Sequence, residues 1–262
     1  MKTRLDAELV RRELARSREH AADLIESRSV IVSGIPATKP ASQVDAETSI
    51  VLQGDRDDFV SRGGHKLAGA LDVFTGVEIA GRTCLDAGAS TGGFTDVLLR
   101  RGAKLVVAVD VGYGQLAWEL RQDARVKILD RTNIRHLSGD QISEDIDLVV
   151  ADLSFISLSL VLPALAAVSR PNADYVLMVK PQFEVGREKL GAGGVVRDPA
   201  LRRAAVLDVA EAAYDVGLGT MGIAASPLPG PAGNVEYFLW LRRGAPAIDA
   251  GDVDRAIEMG PA

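Results

Sequence analysis

The sequence predicts an α/β protein, a seven-stranded and mostly parallel sheet covered by helices, behind a small N-terminal α+β module. Three observations carry this. From residue 80 onward, short and nearly continuous apolar runs alternate with helical stretches, the pattern of strands buried on both faces of a parallel sheet. A glycine-rich turn directly follows the first of these runs. Residues 1–52 lack that alternation and show two helix-period segments and then two β-branched runs. The hydrophobic share of 47% supports a sizeable core, and a charged share of only 25% excludes wholesale disorder.

In the N-terminal module, Leu5, Leu9 and Leu14 recur at helical spacing, with Thr3 or Asp6 placed to start the helix. Ala21, Leu24 and Ile25 mark a second helix, which Ser17 can cap. The run Val30-Ile31-Val32 reads as a strand that stops at Ser33-Gly34, and 49–52 reads as another. The polar stretch after Gly54 reads as a linker. The expected organisation is therefore 1–58 for the module and linker, 59–245 for the α/β domain, and 246–262 for a loosely held tail rich in Ala, Gly and Asp.

In the α/β domain the expected strands are 83–86, 105–110, 126–129, 148–151, 175–179, 221–225 and 235–241. The expected helices are 94–101, 115–120, 158–168 and 199–216. The longest apolar segment, 155–168, is interrupted by Ser157, Ser159 and Pro163. It falls short of the roughly 18–20 residues of a membrane span. The charged, amphipathic N-terminus lacks the apolar stretch of a secretory signal. A cytoplasmic protein without stable membrane association is expected, and nothing in the sequence fixes its oligomeric state.

The single cysteine, Cys84, excludes an intrachain disulfide and a cysteine-based zinc site. Histidines at 20, 65 and 136 are too few and scattered for a histidine-rich metal centre, so no metal is expected. The net charge of −6 disfavours a general polyanion partner, but it is unevenly distributed. Residues 1–40 carry eight Lys/Arg against six Asp/Glu, a local +2 that leaves −8 for the rest.

The strongest local signal is the turn Asp86-Ala87-Gly88-Ala89-Ser90-Thr91-Gly92-Gly93-Phe94 between the first strand and its helix. Asp110 ends the next strand 22 residues after Gly88, where an acid can hold a ribose diol. The turn departs from the dinucleotide fingerprint because Ser90 stands where the middle glycine admits a pyrophosphate. Asp86 before the turn would also repel a pyrophosphate, whereas it suits a cationic ligand such as the ammonium and sulfonium of S-adenosylmethionine. The competing reading is a tight strand-to-helix turn with no ligand. Asp130 and Asn133, after the third strand, could hydrogen-bond an adenine edge or cap the next helix.

The fourth and fifth strands end abruptly in Asp152 and Lys180, at the carboxyl edge where open α/β sheets bind ligands. A charge that ends a buried strand is often only solvent-facing. Two on neighbouring strands beside a cofactor turn favour catalysis. Lys66 follows the glycine pair Gly63-Gly64 and is read as starting a helix, where a lysine opposes the macrodipole. Glu236 begins the last strand and alone is an ordinary strand-edge charge. Cys84 points into the core by the pattern, which closes a cysteine-nucleophile route to pyrimidine ring methylation. The loop Asp152-Leu153-Ser154-Phe155 also lacks the paired prolines usual for exocyclic-amine methylation. Transfer to a hydroxyl, with a lysine taking its proton, fits the remaining groups.

Residues 60–242 resemble the FtsJ-type ribose 2′-O-methyltransferases, which carry a Lys-Asp-Lys-Glu tetrad on a Rossmann-like, S-adenosylmethionine-dependent domain. By order and context Lys66, Asp152, Lys180 and Glu236 fall on that tetrad. The resemblance implies Lys180 as the base, with the other three positioning and tuning it. Residues 4–52 resemble the small RNA-binding domain of ribosomal protein S-four, through Arg4-Leu5-Asp6, Ala15-Arg16-Ser17-Arg18, Val30-Ile31-Val32-Ser33-Gly34 and Lys39-Pro40. That domain implies phosphate contacts by Arg4, Arg16, Arg18 and Lys39. Glu13 and Arg28 stand where the pattern has glycines, and Ser33 where it has asparagine. The domain order, with Ser61-Arg62-Gly63-Gly64-His65-Lys66-Leu67, Val179-Lys180-Pro181-Gln182-Phe183-Glu184 and Gly233-Asn234-Val235-Glu236-Tyr237-Phe238, resembles the TlyA family.

That family implies S-adenosylmethionine-dependent 2′-O-methylation of cytidine in ribosomal RNA, on one or both ribosomal subunits. It also carries a haemolysin label. The alternatives are a membrane-active haemolysin, a catalytically silent RNA-binding ribosome factor, and a small-molecule O-methyltransferase. The missing spanning helix and acidic net charge disfavour the first. An intact tetrad disfavours the second, and the appended RNA-binding module the third.

Overall fold

The computed structural model describes residues 3–12, 14–15, 17–26, 28–45, 48–52 and 59–260. The chain divides into two units, Met1–Asp58 and Phe59–Ala262.

The first unit contains β1 (Thr3–Arg4), α1 (Leu5–Arg11), α2 (Arg18–Glu26), β2 (Val30–Val32), β3 (Ile35–Pro36), β4 (Gln43–Val44) and β5 (Ile50–Leu52). β1 pairs with β4, and β2 lies between β3 and β5, all antiparallel. Leu5, Leu9, Ala21, Ile25, Val30 and Val44 form its core. Ser17 Oγ accepts from the His20 amide at 3.1 Å and caps α2. α1 follows β1 without a side-chain cap, because Thr3 is engaged in the strand pair. Leu14 lies beyond the helix and packs on the core from outside it. Arg28 and Ser33 adopt left-handed φ of 59° and 48°, the conformation that glycine and asparagine favour. Glu13, Arg16 and residues 53–58 lie outside the described residues. In the second unit, which starts at Phe59, the Val60 amide donates to Asp96 Oδ2 at 3.0 Å.

The second unit contains α3 (Arg62–Val73), β6 (Thr83–Ala87), α4 (Gly93–Arg100), β7 (Leu105–Val109), α5 (Trp118–Gln122), β8 (Val126–Leu129), β9 (Ile146–Ala151), α6 (Leu162–Ala167), β10 (Ser169–Val179), α7 (Pro181–Glu184), α8 (Pro199–Asp215), β11 (Leu218–Ala225), β12 (Tyr237–Arg243) and α9 (Ala250–Met259). The sheet order is β11-β12-β10-β9-β6-β7-β8. Only β12 runs against its neighbours. Alternate residues of each strand serve opposite faces. Cys84, Val106, Leu148, Val150, Val176 and Met178 pack with α3 and α4. Leu85, Val107, Val149, Tyr175 and Leu177 pack with α6, α8 and α9. The chain reverses its direction of travel between β6 and β9, and this switch point places a crevice beyond their carboxyl ends.

Four expectations need correction. The helix over 158–168 is a 3-10 turn at Leu158–Leu160 followed by α6, because Pro163 lacks the amide a continuous helix would use and fits only a first turn. The helix over 115–120 begins instead at Trp118. α3 begins at Arg62 with Ser61 as N-cap, so Lys66 lies one turn inside it. The tail is not loose. Asp249 accepts from the Gly251 and Asp252 amides and caps α9, which buries Val253 and Ala256 against the second unit's core. Composition hid the helical spacing of those two residues.

Candidate active site

Three carboxyl-edge segments build the site. β6 leads into the turn 88–92 and α4, β9 into the loop that starts at Asp152, and β10 through Lys180 into α7. The turn is sharp: Gly88, Ser90 and Gly92 all have positive φ. A Cβ on Gly88 would stand 2.7 Å from the Asp152 carbonyl oxygen, so only glycine lets the two loops approach.

The four tetrad candidates fall into two ion pairs. Lys66 Nζ lies 2.6 Å from Glu236 Oε2, and both side chains are buried. Lys180 Nζ lies 2.5 Å from Asp152 Oδ1 at a partly open position and donates to Ser154 Oγ at 3.0 Å. Gln182 connects the pairs. It follows Lys180 by two residues and donates to Glu236 Oε1 at 3.3 Å. Lys66 and Glu236 are 170 positions apart in sequence; Lys66 lies in α3, and Glu236 immediately precedes β12 instead of beginning the last strand.

Beneath the turn, Asp86 is fully buried. Its Oδ2 accepts from Thr95 Oγ at 2.7 Å, while Oδ1 has no hydrogen-bond partner among the described residues. Burial pushes its carboxyl up to about 7, against the Thr95 hydroxyl bond and with help from the Asp152 charge. Asp110 holds the Ser90 and Gly112 amides, one on each oxygen, at 2.8 and 2.7 Å. Asp130 holds the Gly114 amide at 3.1 Å, and Asn133 accepts from the Arg135 amide at 3.0 Å, capping a 3-10 turn. Asn133 thus caps that turn, and Asp130 braces the loop after β7. Cys84 is buried inside β6, and burial pushes its thiol up to about 12, far from a nucleophilic thiolate.

The residues fit S-adenosylmethionine. Asp86 Oδ1 is an unsatisfied buried acceptor of the kind a cationic ligand suits. Each Asp110 oxygen retains a lone pair beyond its amide bond for a ribose diol.

Sequence reasoning missed the aromatic rim. Phe155 is 91% exposed with φ of 63°, and its ring lies 5.1 Å from that of Phe183. Val111 and Tyr113 are exposed in the loop after Asp110. Val111 and Tyr113 gave a faint signal, since Gly112 and Gly114 flank them, while Phe155 opens the apolar segment 155–168 and so reads as core.

In the first unit, Arg4 forms two bonds to the buried Asp6, at 3.1 and 2.9 Å, and Arg18 reaches the same carboxylate at 3.0 Å. These hydrogen bonds and charges hold the Asp6 carboxyl well below the usual range. Lys39 is exposed. Arg11, not singled out from sequence, is held by Glu8 and projects to solvent.

The FtsJ-like methyltransferase family matches residues 59–243, and the S4 domain family matches residues 3–50. A relative from Mycobacterium tuberculosis is 58% identical over 266 residues, 99% of each chain. The chain belongs to the TlyA family of FtsJ-like methyltransferases. That TlyA-family relative is named a 16S/23S rRNA (cytidine-2′-O)-methyltransferase. Another, from Brachyspira hyodysenteriae, is 37% identical over 85% of this chain and 92% of its own, and is named Hemolysin A. A solved structure from Streptococcus thermophilus, also named as a hemolysin, aligns with a TM-score of 0.75 at 38% identity, covering 98% of this chain and 96% of its own. Among the described residues no helix is long and apolar enough to cross a membrane.

Proposed function

We propose that this chain transfers a methyl group from S-adenosylmethionine to the ribose 2′-hydroxyl of cytidine in ribosomal RNA, in the cytoplasm. The observation that carries the reading is the Lys180–Asp152 pair at the carboxyl edge, one loop from the glycine turn and backed by the buried Lys66–Glu236 pair. The activity for which the relative is named supplies the substrate.

The cofactor, when bound, supplies an electrophilic methyl on a sulfonium. Asp86, Gly88, Ala89, Ser90, Thr91, Gly92, Gly93 and Phe94 would hold its methionyl end, and Asp110 its ribose. Asp130 would support that pocket by bracing Gly114, and Asn133 by holding the segment after β8. Lys180 Nζ, acting as the neutral amine, takes the hydroxyl proton as the oxygen gains the methyl. Asp152 and Ser154 orient that amine and stabilise the ammonium that results. Glu236, fixed by Lys66 and Gln182, sets the charge behind it. Phe155 and Phe183 offer a face on which an unstacked base can rest, as RNA-modifying sites require. Arg4, Arg16, Arg18 and Lys39 would contact phosphates, which supplies affinity with little sequence information.

The test incubates the protein with labelled S-adenosylmethionine and unmodified ribosomal subunits, then maps ribose methylation for wild type and Lys180→Ala. Methylated cytidine that disappears in the variant supports the reading. No transfer, with cofactor still bound, overturns it in favour of an RNA-binding factor.

A further inference from the structure

We propose that Glu184 is a positioning residue for methyl transfer, clamping the Asp152 loop against α7 so that Asp152 and Ser154 face Lys180. This rests on the 2′-O-methyltransferase reading above and extends it to a residue outside the tetrad.

The starting point is an outlier. Phe155 is a bulky, exposed side chain on a backbone with φ of 63°, a conformation that persists only where its surroundings over-determine it. Two contacts do so, and both come from α7. The Phe183 ring lies 5.1 Å from the Phe155 ring. The Glu184 carboxylate accepts from Ser157 Oγ at 2.5 Å and from the Leu158 amide at 3.0 Å. The loop is thus tied at its start by Lys180, on Asp152 and Ser154, and at its end by Glu184. Lys180 and Glu184 are only four positions apart, so one short helical turn fixes both ends of the loop that faces it.

Glu184 is partly buried, and burial raises its carboxyl above the usual range, opposed by the Ser157 and Leu158 bonds and assisted by Asp208 on α8. A carboxylate kept in such surroundings solely to start a three-residue 3-10 turn would be a poor exchange, since Ser157 Oγ already accepts from the Ser159 amide there. Holding the loop accounts for the site. Without the clamp the left-handed Phe155 relaxes and carries Asp152 and Ser154 away from Lys180. A misplacement of about 1 Å at such a group costs on the order of 100-fold in rate.

The experiment measures kcat, KM for unmodified ribosomal subunits, S-adenosylmethionine affinity by calorimetry and thermal midpoint for wild type, Glu184→Ala, Glu184→Gln, Ser157→Ala and the Glu184→Ala/Ser157→Ala double variant. The expected result is a kcat lower by about 10–100-fold for Glu184→Ala. Smaller losses follow in Glu184→Gln, which keeps one acceptor, and in Ser157→Ala. The double variant loses no more than Glu184→Ala, while cofactor affinity and midpoint stay near wild type. Unchanged kcat in Glu184→Ala overturns the inference. So does a loss that tracks a fall in midpoint and cofactor affinity, or one that adds independently to that of Ser157→Ala. Failure of the wild-type protein to methylate at all would fall on the proposed function instead.

Discussion

Burial lifts the Asp86 carboxyl to about 7, more than the Thr95 hydroxyl can offset. A free aspartate titrates near 4. Between about pH 4 and 7 the folded chain therefore holds a proton that the unfolded chain has released, and stability falls as pH rises through that window, then levels off. Asp86→Asn removes this penalty. Its thermal midpoint should gain on the wild type's steadily from pH 4 to 7 and hold that gain at pH 8; a constant offset at every pH would show that Asp86 titrates normally. The tetrad should divide by burial in the same way. Glu236→Ala strands the buried Lys66 ammonium and is expected to cost roughly 3–5 kcal/mol in chemical denaturation. Lys180→Ala leaves a half-buried Asp152, whose side chain is 23% exposed, and should cost less, about 1–3 kcal/mol. Both should abolish transfer, but the first should unfold earlier. Asp152 and Lys180 were legible in the sequence because each ends an apolar strand with a charge. Lys66 and Glu236 were not legible without a family resemblance, because no local pattern reports a contact across 170 positions.

At the scale of elements, the strands from β6 to β9 read well because buried parallel strands are short apolar runs. β10 begins at Ser169, ahead of the expected 175, through a polar start that no apolar run marks. β11 begins at Leu218 and β12 at Tyr237, and helix boundaries read poorly. α6 and α5 start later than expected, since Pro163 and the loop 110–117 impose local geometry that periodicity does not encode. α7 escaped altogether. It is four residues long, and its importance lies in what each side chain touches: Gln182 reaches Glu236, Phe183 meets Phe155, and Glu184 holds Ser157. The composition of α9, dominated by Ala, Gly and Asp, predicts a tail, yet Val253 is fully buried. Ending the chain at residue 245 should therefore lower stability by roughly 2–4 kcal/mol, from the lost burial of Val253 and Ala256 and the exposed surface beneath them. Denaturant titration of the shortened chain checks this, and an unchanged midpoint would mean that α9 contributes no net packing.

For the whole molecule, the two units carry separate apolar cores, one around Leu5, Leu9 and Ile25 and the others on the two faces of the sheet. Every group placed around the cofactor, from Asp86 to Asn133, lies in Phe59–Ala262. Deleting residues 1–58 should therefore leave S-adenosylmethionine affinity within about twofold of the full chain. RNA affinity should behave differently. Arg4 and Arg18 spend part of their hydrogen-bonding capacity on Asp6, but their side chains remain 46% and 60% exposed, and Lys39 is open to solvent. Each phosphate that one of them neutralises contributes about 0.7–0.9 to the slope of log affinity against log salt. Three such contacts, with Arg16 as a fourth, predict that the deletion reduces the slope by about 3–4 and weakens binding most at low salt. The acidic remainder of the chain, net −8 beyond residue 40, sharpens the contrast by offering little general attraction of its own. Filter binding of ribosomal RNA across a salt series, for the full chain and the deletion, measures both quantities. An unchanged slope would place the electrostatic footprint on the methyltransferase unit, and lost cofactor affinity would show that the module completes the site.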